Sequence, residues 1–255
     1  MPLFSDGSIS DIDDLRAYDA AILDVAGVEG VDLSAKLGLA STEIGIELTE
    51  FLRKRAGGGS GAVYQTGADV AHVVATPALK HWHTLRTLAL IYGDLHGRQL
   101  NSRYSEKWKQ CRDRSRWAAD TLFRTGVGLV YVPVAKAEMP ELRTVAGTLA
   151  PATYHVKVAW KNRTGGTGSP SDTVIHITET SGVLAVNAVR PPLNAVSYDV
   201  YAGLSEADIT KQNDLPIDCG QEWTMPETGL VAGAEAGTGQ EPDWFLREDR
   251  VLQRG

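Results

Sequence analysis

Cysteine is scarce: the 255-residue chain has two, Cys111 and Cys219, far apart in segments of different character. Two such residues cannot build a disulfide framework or a CxxC metal knuckle, which points to a reduced, cytosolic setting. Long apolar runs are missing as well. A transmembrane helix needs about 20 consecutive apolar residues, and stretches such as 125–135 reach only half of that. The opening residues MPLFSDGSISDIDD hold neither a basic segment nor an apolar one, so no secretory leader is expected. There is no excess of positive charge either. A formal net charge of −7 argues against a general nucleic-acid binder. With 43% hydrophobic residues the chain is not of the disordered class, and its length accommodates one large domain or two smaller ones.

The charge that is present is segregated. Residues 1–50 hold eleven acids and two bases, Arg16 and Lys36, whereas residues 98–124 hold eight bases and three acids. Either the two segments neutralise each other inside one subunit, or a head-to-tail ring sets one subunit's acidic face against the next subunit's basic face.

Residues 1–140 read as an antiparallel helical bundle. Ser10 is placed to cap a helix over 11–26, with early Asp residues that suit its dipole and Gly27 and Gly30 at its end. Ser34 opens a second helix carrying Leu37, Ile44, Leu48, Phe51 and Leu52, followed by the Gly57-Gly58-Gly59-Ser60-Gly61 loop. Thr76-Pro77 is a cap with proline at the first helical position, ahead of a stripe of Leu79, Trp82, Leu85, Leu88, Tyr92 and Leu95. Asn101-Ser102 begins a fourth helix with Tyr104, Trp108, Cys111, Ala118, Ala119 and Leu122, closed by Gly126. Beyond Pro140 the period changes to two. Segments 153–159, 172–179, 183–189 and 196–202 read as strands separated by Gly/Ser/Pro/Asn clusters, which predicts an antiparallel β-sandwich over 141–235. Residues 236–255 read as an extended tail, so the fold class is α + β, multidomain.

The sequence offers little catalytic chemistry. His81 and His83 stand about 200° apart on a helix and cannot share a metal ion, and no HExxH pattern accompanies them or His72 and His96. They read as helix-surface residues flanking a buried Trp82. Gly58-Gly59-Ser60-Gly61-Ala62 follows a helix, where a nucleophile elbow requires a strand. Gly165-Gly166-Thr167-Gly168-Ser169 lacks the lysine of a phosphate loop and reads as a hairpin turn. Asn162-Arg163-Thr164 matches a glycosylation sequon that has no meaning without a secretory leader. Cys111 lies on an apolar stripe and reads as an inert, buried thiol. No enzyme and no cofactor are expected. Arg103, Lys107 and Arg114 line a basic helix face beside Tyr104 and Trp108, which suits an electrostatic surface that DNA passes better than a sequence-specific reader.

Two stretches carry a resemblance. Val31-Asp32-Leu33-Ser34-Ala35-Lys36-Leu37 with Glu43-Ile44-Gly45-Ile46-Glu47-Leu48, and Tyr104-Ser105-Glu106-Lys107-Trp108 with the run from Asp120 to Val130, resemble the helical head–tail connector (adaptor) proteins of tailed bacteriophages. The likeness covers roughly residues 8–135. Residues 151–231 resemble a fibronectin type III or immunoglobulin-like module. They hold an alternating strand ending in Trp160, then Gly168-Ser169-Pro170-Ser171, then Ser197-Tyr198-Asp199-Val200-Tyr201-Ala202-Gly203.

The connector resemblance implies a homo-oligomeric ring, usually of twelve subunits, under the portal protein. Such a ring joins the head to a downstream neck, stopper or tail protein around the DNA channel, without sequence-specific DNA binding and without a membrane. It also implies a virion location at the neck, reached from the host bacterial cytoplasm. Connector C-termini enter the portal. The matching residues here are Trp244, Phe245, Leu246, Arg247 and Arg250, aromatic and arginine anchors of the kind favoured at interface centres. Ring-contact candidates are Asp11, Asp13 and Asp14 on the acidic side and Arg112, Arg114 and Arg116 on the basic side. The alternative is a virion or neck protein whose β-sandwich binds carbohydrate or a host surface. That reading requires exposed aromatics, for which Trp160, Tyr201 and Trp223 are the candidates.

Overall fold

The computed structural model describes residues 1–56, 67–98 and 102–248. Among these, five α-helices are followed by short and long antiparallel β-strands. The chain divides into two units, each drawing on both chain ends: Gly7–Tyr131 with Pro242–Gly255, and Met1–Asp6 with Val132–Glu241. The Gly57-to-Gly61 loop, the Ser60 segment, Asn101 and Arg250 lie outside the described residues.

The first unit holds α1 (Ile12–Tyr18), α2 (Ile22–Glu29), α3 (Leu33–Ala56), α4 (Pro77–Arg98) and α5 (Ser105–Thr125). The single helix expected over 11–26 is two. Asp11, rather than Ser10, caps α1: its Oδ1 accepts the Asp14 N–H while Asp14 Oδ2 accepts the Asp11 N–H, both at 2.9 Å. The break falls at Asp19, whose backbone is extended and whose carboxylate accepts the Ala21 N–H at 3.4 Å. A short polar side chain that binds nearby backbone competes with helix continuation. Asp32 Oδ1 accepts the Ala35 N–H at 3.0 Å where Ser34 was expected to start α3. Thr76 caps α4 through the Leu79 N–H at 3.4 Å, as its position before Pro77 predicts. Gly126 ends α5 with a φ of 124°.

Leu15, Ile22, Leu37, Leu88, Ile91 and Leu95 form the centre of one buried cluster in this unit. The helices α4 and α5 run antiparallel. His96 stacks on Trp108 at 5.2 Å toward one end, and Trp82 meets Phe123 edge-on at 5.6 Å toward the other. Beyond α5, β1 (Val127–Leu129) pairs antiparallel with the last described strand, Trp244–Leu246. The stretch read as a free tail is thus divided: 236–241 belong to the second unit and 242–248 to this one. The reason lies in Gly128, where a Cβ would meet Pro242 Cγ at 2.7 Å and Thr76 Cγ2 at 3.0 Å. Its missing side chain is the room in which residue 242 sits.

The second unit is built from two antiparallel sheets. One has the order β2 (Glu141–Val145), β5 (Val183–Asn187), β9 (Trp223–Thr224). The other has the order β4 (Val174–Ile177), β3 (Thr153–Asn162), β6 (Ala195–Gly203), β7 (Thr210–Lys211), with β8 (Ile217–Asp218) also on β6. Alternation does what a period of two requires: Val156, Val158 and Trp160 of β3 enter one core with Tyr198 and Val200 of β6 and with Leu184 and Val186 of β5. Tyr198 ties the sheets together, donating its O–H to the Gln221 carbonyl at 2.6 Å and the Val186 carbonyl at 3.3 Å. Both chain ends serve this unit. Asp6 accepts the Lys136 N–H at 2.8 Å, and buried Gln240 accepts the Val134 N–H at 2.6 Å while donating to the Val132 carbonyl at 3.0 Å.

Candidate functional site

The acidic and basic segments meet partly inside the helical unit. Asp19 is buried at the α1–α2 break, where Lys107 Nζ approaches it at 2.8 Å and the Tyr92 hydroxyl donates to it. Burial alone would raise this carboxyl. The hydrogen bonds from Lys107 and Tyr92, with the Lys107 charge, outweigh it and hold the group below the usual carboxylate range. Glu29 accepts the Tyr104 hydroxyl at 2.8 Å and lies 3.9 Å from Arg103. Of the three cations read as a DNA-facing row, Arg103 and Lys107 are therefore tied to acids of their own subunit, and Arg114 has no acidic partner among the described residues.

The ring-contact candidates sort in the same way. Asp11 serves as a cap, Asp13 pairs with Arg16 at 3.0 Å, and Asp14 pairs with Lys80 at 2.9 Å. Arg112 pairs with Asp113 at 3.0 Å and lies 5.3 Å over the Trp108 ring. Arg114 and Arg116 are exposed and make no ion pair among the described residues. In the C-terminal segment Leu246 is buried against its own unit, Trp244 stacks on Tyr131 at 6.2 Å, and Phe245 and Arg247 face solvent.

Two further arrangements have catalytic residue types. His83 is fully buried between Ser10 Oγ, 2.6 Å from Nδ1, and Ser41 Oγ, 2.8 Å from Nε2, with the Leu37 carbonyl 3.2 Å from Nε2. It is a core residue rather than the surface residue its sequence position suggested. Burial lowers its pKa, so it stays neutral. Ser10 is equally enclosed, so no substrate reaches this Ser–His pair. Cys111 is buried too, and burial pushes its thiol upward, away from the reactive thiolate. No group of three metal-ligating side chains occurs among the described residues, and none of their helices is long and apolar enough to cross a membrane. In the β unit Trp160 and Tyr201 are core residues and Trp223 is half-buried.

Sequence reasoning missed a surface feature. Trp117 sits on the polar side of α5, off the apolar stripe, and is 59% exposed. It meets His81 edge-on at 6.3 Å, and His81 in turn hydrogen-bonds and packs against exposed Tyr18. Burial and then the nearby Arg114 charge keep His81 below its ordinary pKa. A second feature lies on α3, where an open apolar groove of about 640 Å³ runs along Thr42, Gly45, Ile46 and Thr49 to Val70. Its signal in the sequence was Ile46, an isoleucine off the apolar stripe of its helix. No protein-family model and no curated protein matches the chain.

Proposed function

We propose that the chain is a structural, non-enzymatic head–tail connector of a tailed bacteriophage, assembling as a ring under the portal. In the family it resembles, that ring usually has twelve subunits. The segments that carry the resemblance fall on α3, α5 and β1 of the helical unit. The observation that supports assembly most is the outer face of α5: two arginines without an ion pair among the described residues beside a tryptophan that is more than half exposed. Aromatic and arginine side chains dominate the energetics of protein interfaces.

The β unit is read as a fibronectin III or immunoglobulin-like sandwich, a reading supported by two antiparallel sheets that share one core. It braces the neck or a downstream stopper or tail protein. Phe245, Arg247 and Arg250 remain to engage the portal, since Leu246 is taken up by the chain's own β1. DNA passes through the ring without sequence-specific binding. The ring resides in the virion neck after assembly in the bacterial cytoplasm. Charge reversal at Arg114 and Arg116 tests the reading: assembly on the portal, counted by negative-stain electron microscopy, should fall. Unchanged assembly would place both arginines on a solvated face and remove the support they give.

A further inference from the structure

Trp117 and the α3 groove are a protrusion and a recess on different helices of the same unit, and their surroundings match. Along α5, Trp117 has Arg114 one turn before it and Asp120 one turn after, both exposed and both without an ion pair among the described residues. Along α3, the groove has Glu50 at its edge and exposed Arg53 at its end. Among the described residues Glu50 is held only by a surface pair with Lys54, at 2.6 Å between side chains that are 62% and 71% exposed. Such pairs contribute little and exchange readily.

The groove floor is apolar for a local reason. The Thr42 and Thr49 hydroxyls donate back to the Gly38 and Gly45 carbonyls, at 3.0 and 2.7 Å, so their methyl groups are what they offer a ligand. Gly45 adds no side chain, and Ile46 is 64% exposed beside it. An indole buries about 150–250 Å² when enclosed, and most of that area is apolar, unlike that of the exposed arginines of α5.

We propose that the Trp117 ridge of one copy docks in the α3 groove of a second copy, with Arg114 meeting Glu50 and Asp120 meeting Arg53. This rests on the ring reading and names its subunit contact. The two faces are different patches of one chain, so the contact is heterologous, the type that closes into rings when the rotation allows. It also replaces Asp11, Asp13 and Asp14 as the acidic partners of the basic helix, because Asp11 caps α1 while Asp13 and Asp14 already have cations of their own subunit.

The test uses the full chain, alone and with the portal protein of the same genome, followed by sedimentation velocity and light scattering. Trp117→Ala removes the ridge and Ile46→Lys spoils the groove, and both residues are exposed enough for the fold to survive, which far-UV circular dichroism checks. Each variant alone should associate at least about 30-fold more weakly than wild type, the scale of an interface hot spot. Mixed one to one, they should form heterodimers and stop there, because that pair retains one good ridge and one good groove. Arg114→Glu and Glu50→Arg give an independent arm: each weakens assembly, and mixing them restores it in full. Association of either Trp117→Ala or Ile46→Lys at wild-type strength, or a mixture that stays monomeric, overturns this contact while leaving the ring intact. A wild-type chain that is monomeric both alone and with the portal overturns the ring reading and this contact with it.

Discussion

Replacing Lys107 with methionine isolates the electrostatic tie between α1 and α5. The Asp19 carboxylate is buried and has three donors: the Tyr92 hydroxyl, Lys107 Nζ at 2.8 Å and the Ala21 N–H at 3.4 Å. Methionine keeps the packing of the lysine stem, which runs toward the Tyr92 ring with its ammonium 5.3 Å from the ring centre. It removes the one cation that pairs with Asp19 among the described residues. Stripping the partner from a fully buried charge costs about 3–5 kcal/mol. The Lys107 side chain is 44% exposed, so water screens the pair in part, and the expected loss is about 2 kcal/mol at pH 7.

The pH dependence makes the test sharper. Asp19 is held below the ordinary carboxylate range, so the pair contributes in full at pH values above that range and its contribution fades as pH falls through the lowered value. In Lys107→Met the cation is gone, burial pushes the carboxyl upward, and acid relieves the penalty by protonating it. The stability difference between the two proteins should therefore narrow between pH 7 and pH 4. Urea unfolding followed at 222 nm, which reports the helices, measures it. A difference below about 0.5 kcal/mol at pH 7, the range of ordinary surface substitutions, would refute the reasoning, as would one that stays flat with pH.

Other outcomes follow from single contacts. Tyr198→Phe removes the hydroxyl that serves the Gln221 and Val186 carbonyls, and should destabilise the β unit by about 1–2 kcal/mol in chemical denaturation. Trp160→Ala, which empties a site 1% exposed, should cost about 3–5 kcal/mol in the same assay. Gly128→Val brings side-chain atoms into the space of Pro242 and should release residues 242–248, read as faster tryptic cleavage at Arg247 with the helices intact. Equal cleavage rates would mean that the strand pairing does not depend on this glycine.

The long elements were legible because their periods are long and clean. The α4 stripe beginning at Thr76-Pro77, and the alternation through Tyr154, Val156 and Val158, each have one dominant face and one packing solution. What was hidden is what depends on distant partners. The local bond from the Ala21 N–H to Asp19 is one that any Asp in the segment could make, and what singles out this residue is distant: its carboxylate is held by Tyr92 and Lys107, on two other helices. His83 looked like a surface residue until Ser10 and Ser41 enclosed it. The short strands β7, β8 and β9 have two residues each, too few for a periodic signal. Residues 1–6 and 236–241 were assigned to a bundle and a tail because sequence order suggests it, whereas Asp6 and Gln240 bind backbone near 132–136. Trp117 was readable after all, as an aromatic residue out of phase with the stripe of its helix.

The same placement decides how the connector reading is best tested. Truncation after Glu235 would strip Gln240 from the β unit and a strand from the helical unit, so the informative truncation ends at Glu248 and removes only 249–255. The full chain and that version, each sedimented with the portal protein from the same genome and imaged in negative stain, address the central claim directly. The full chain should form a closed ring seated on the portal, weakened when 249–255 and with them Arg250 are removed. A full chain that fails to bind the portal, or binds without forming a ring, is not a connector of this kind.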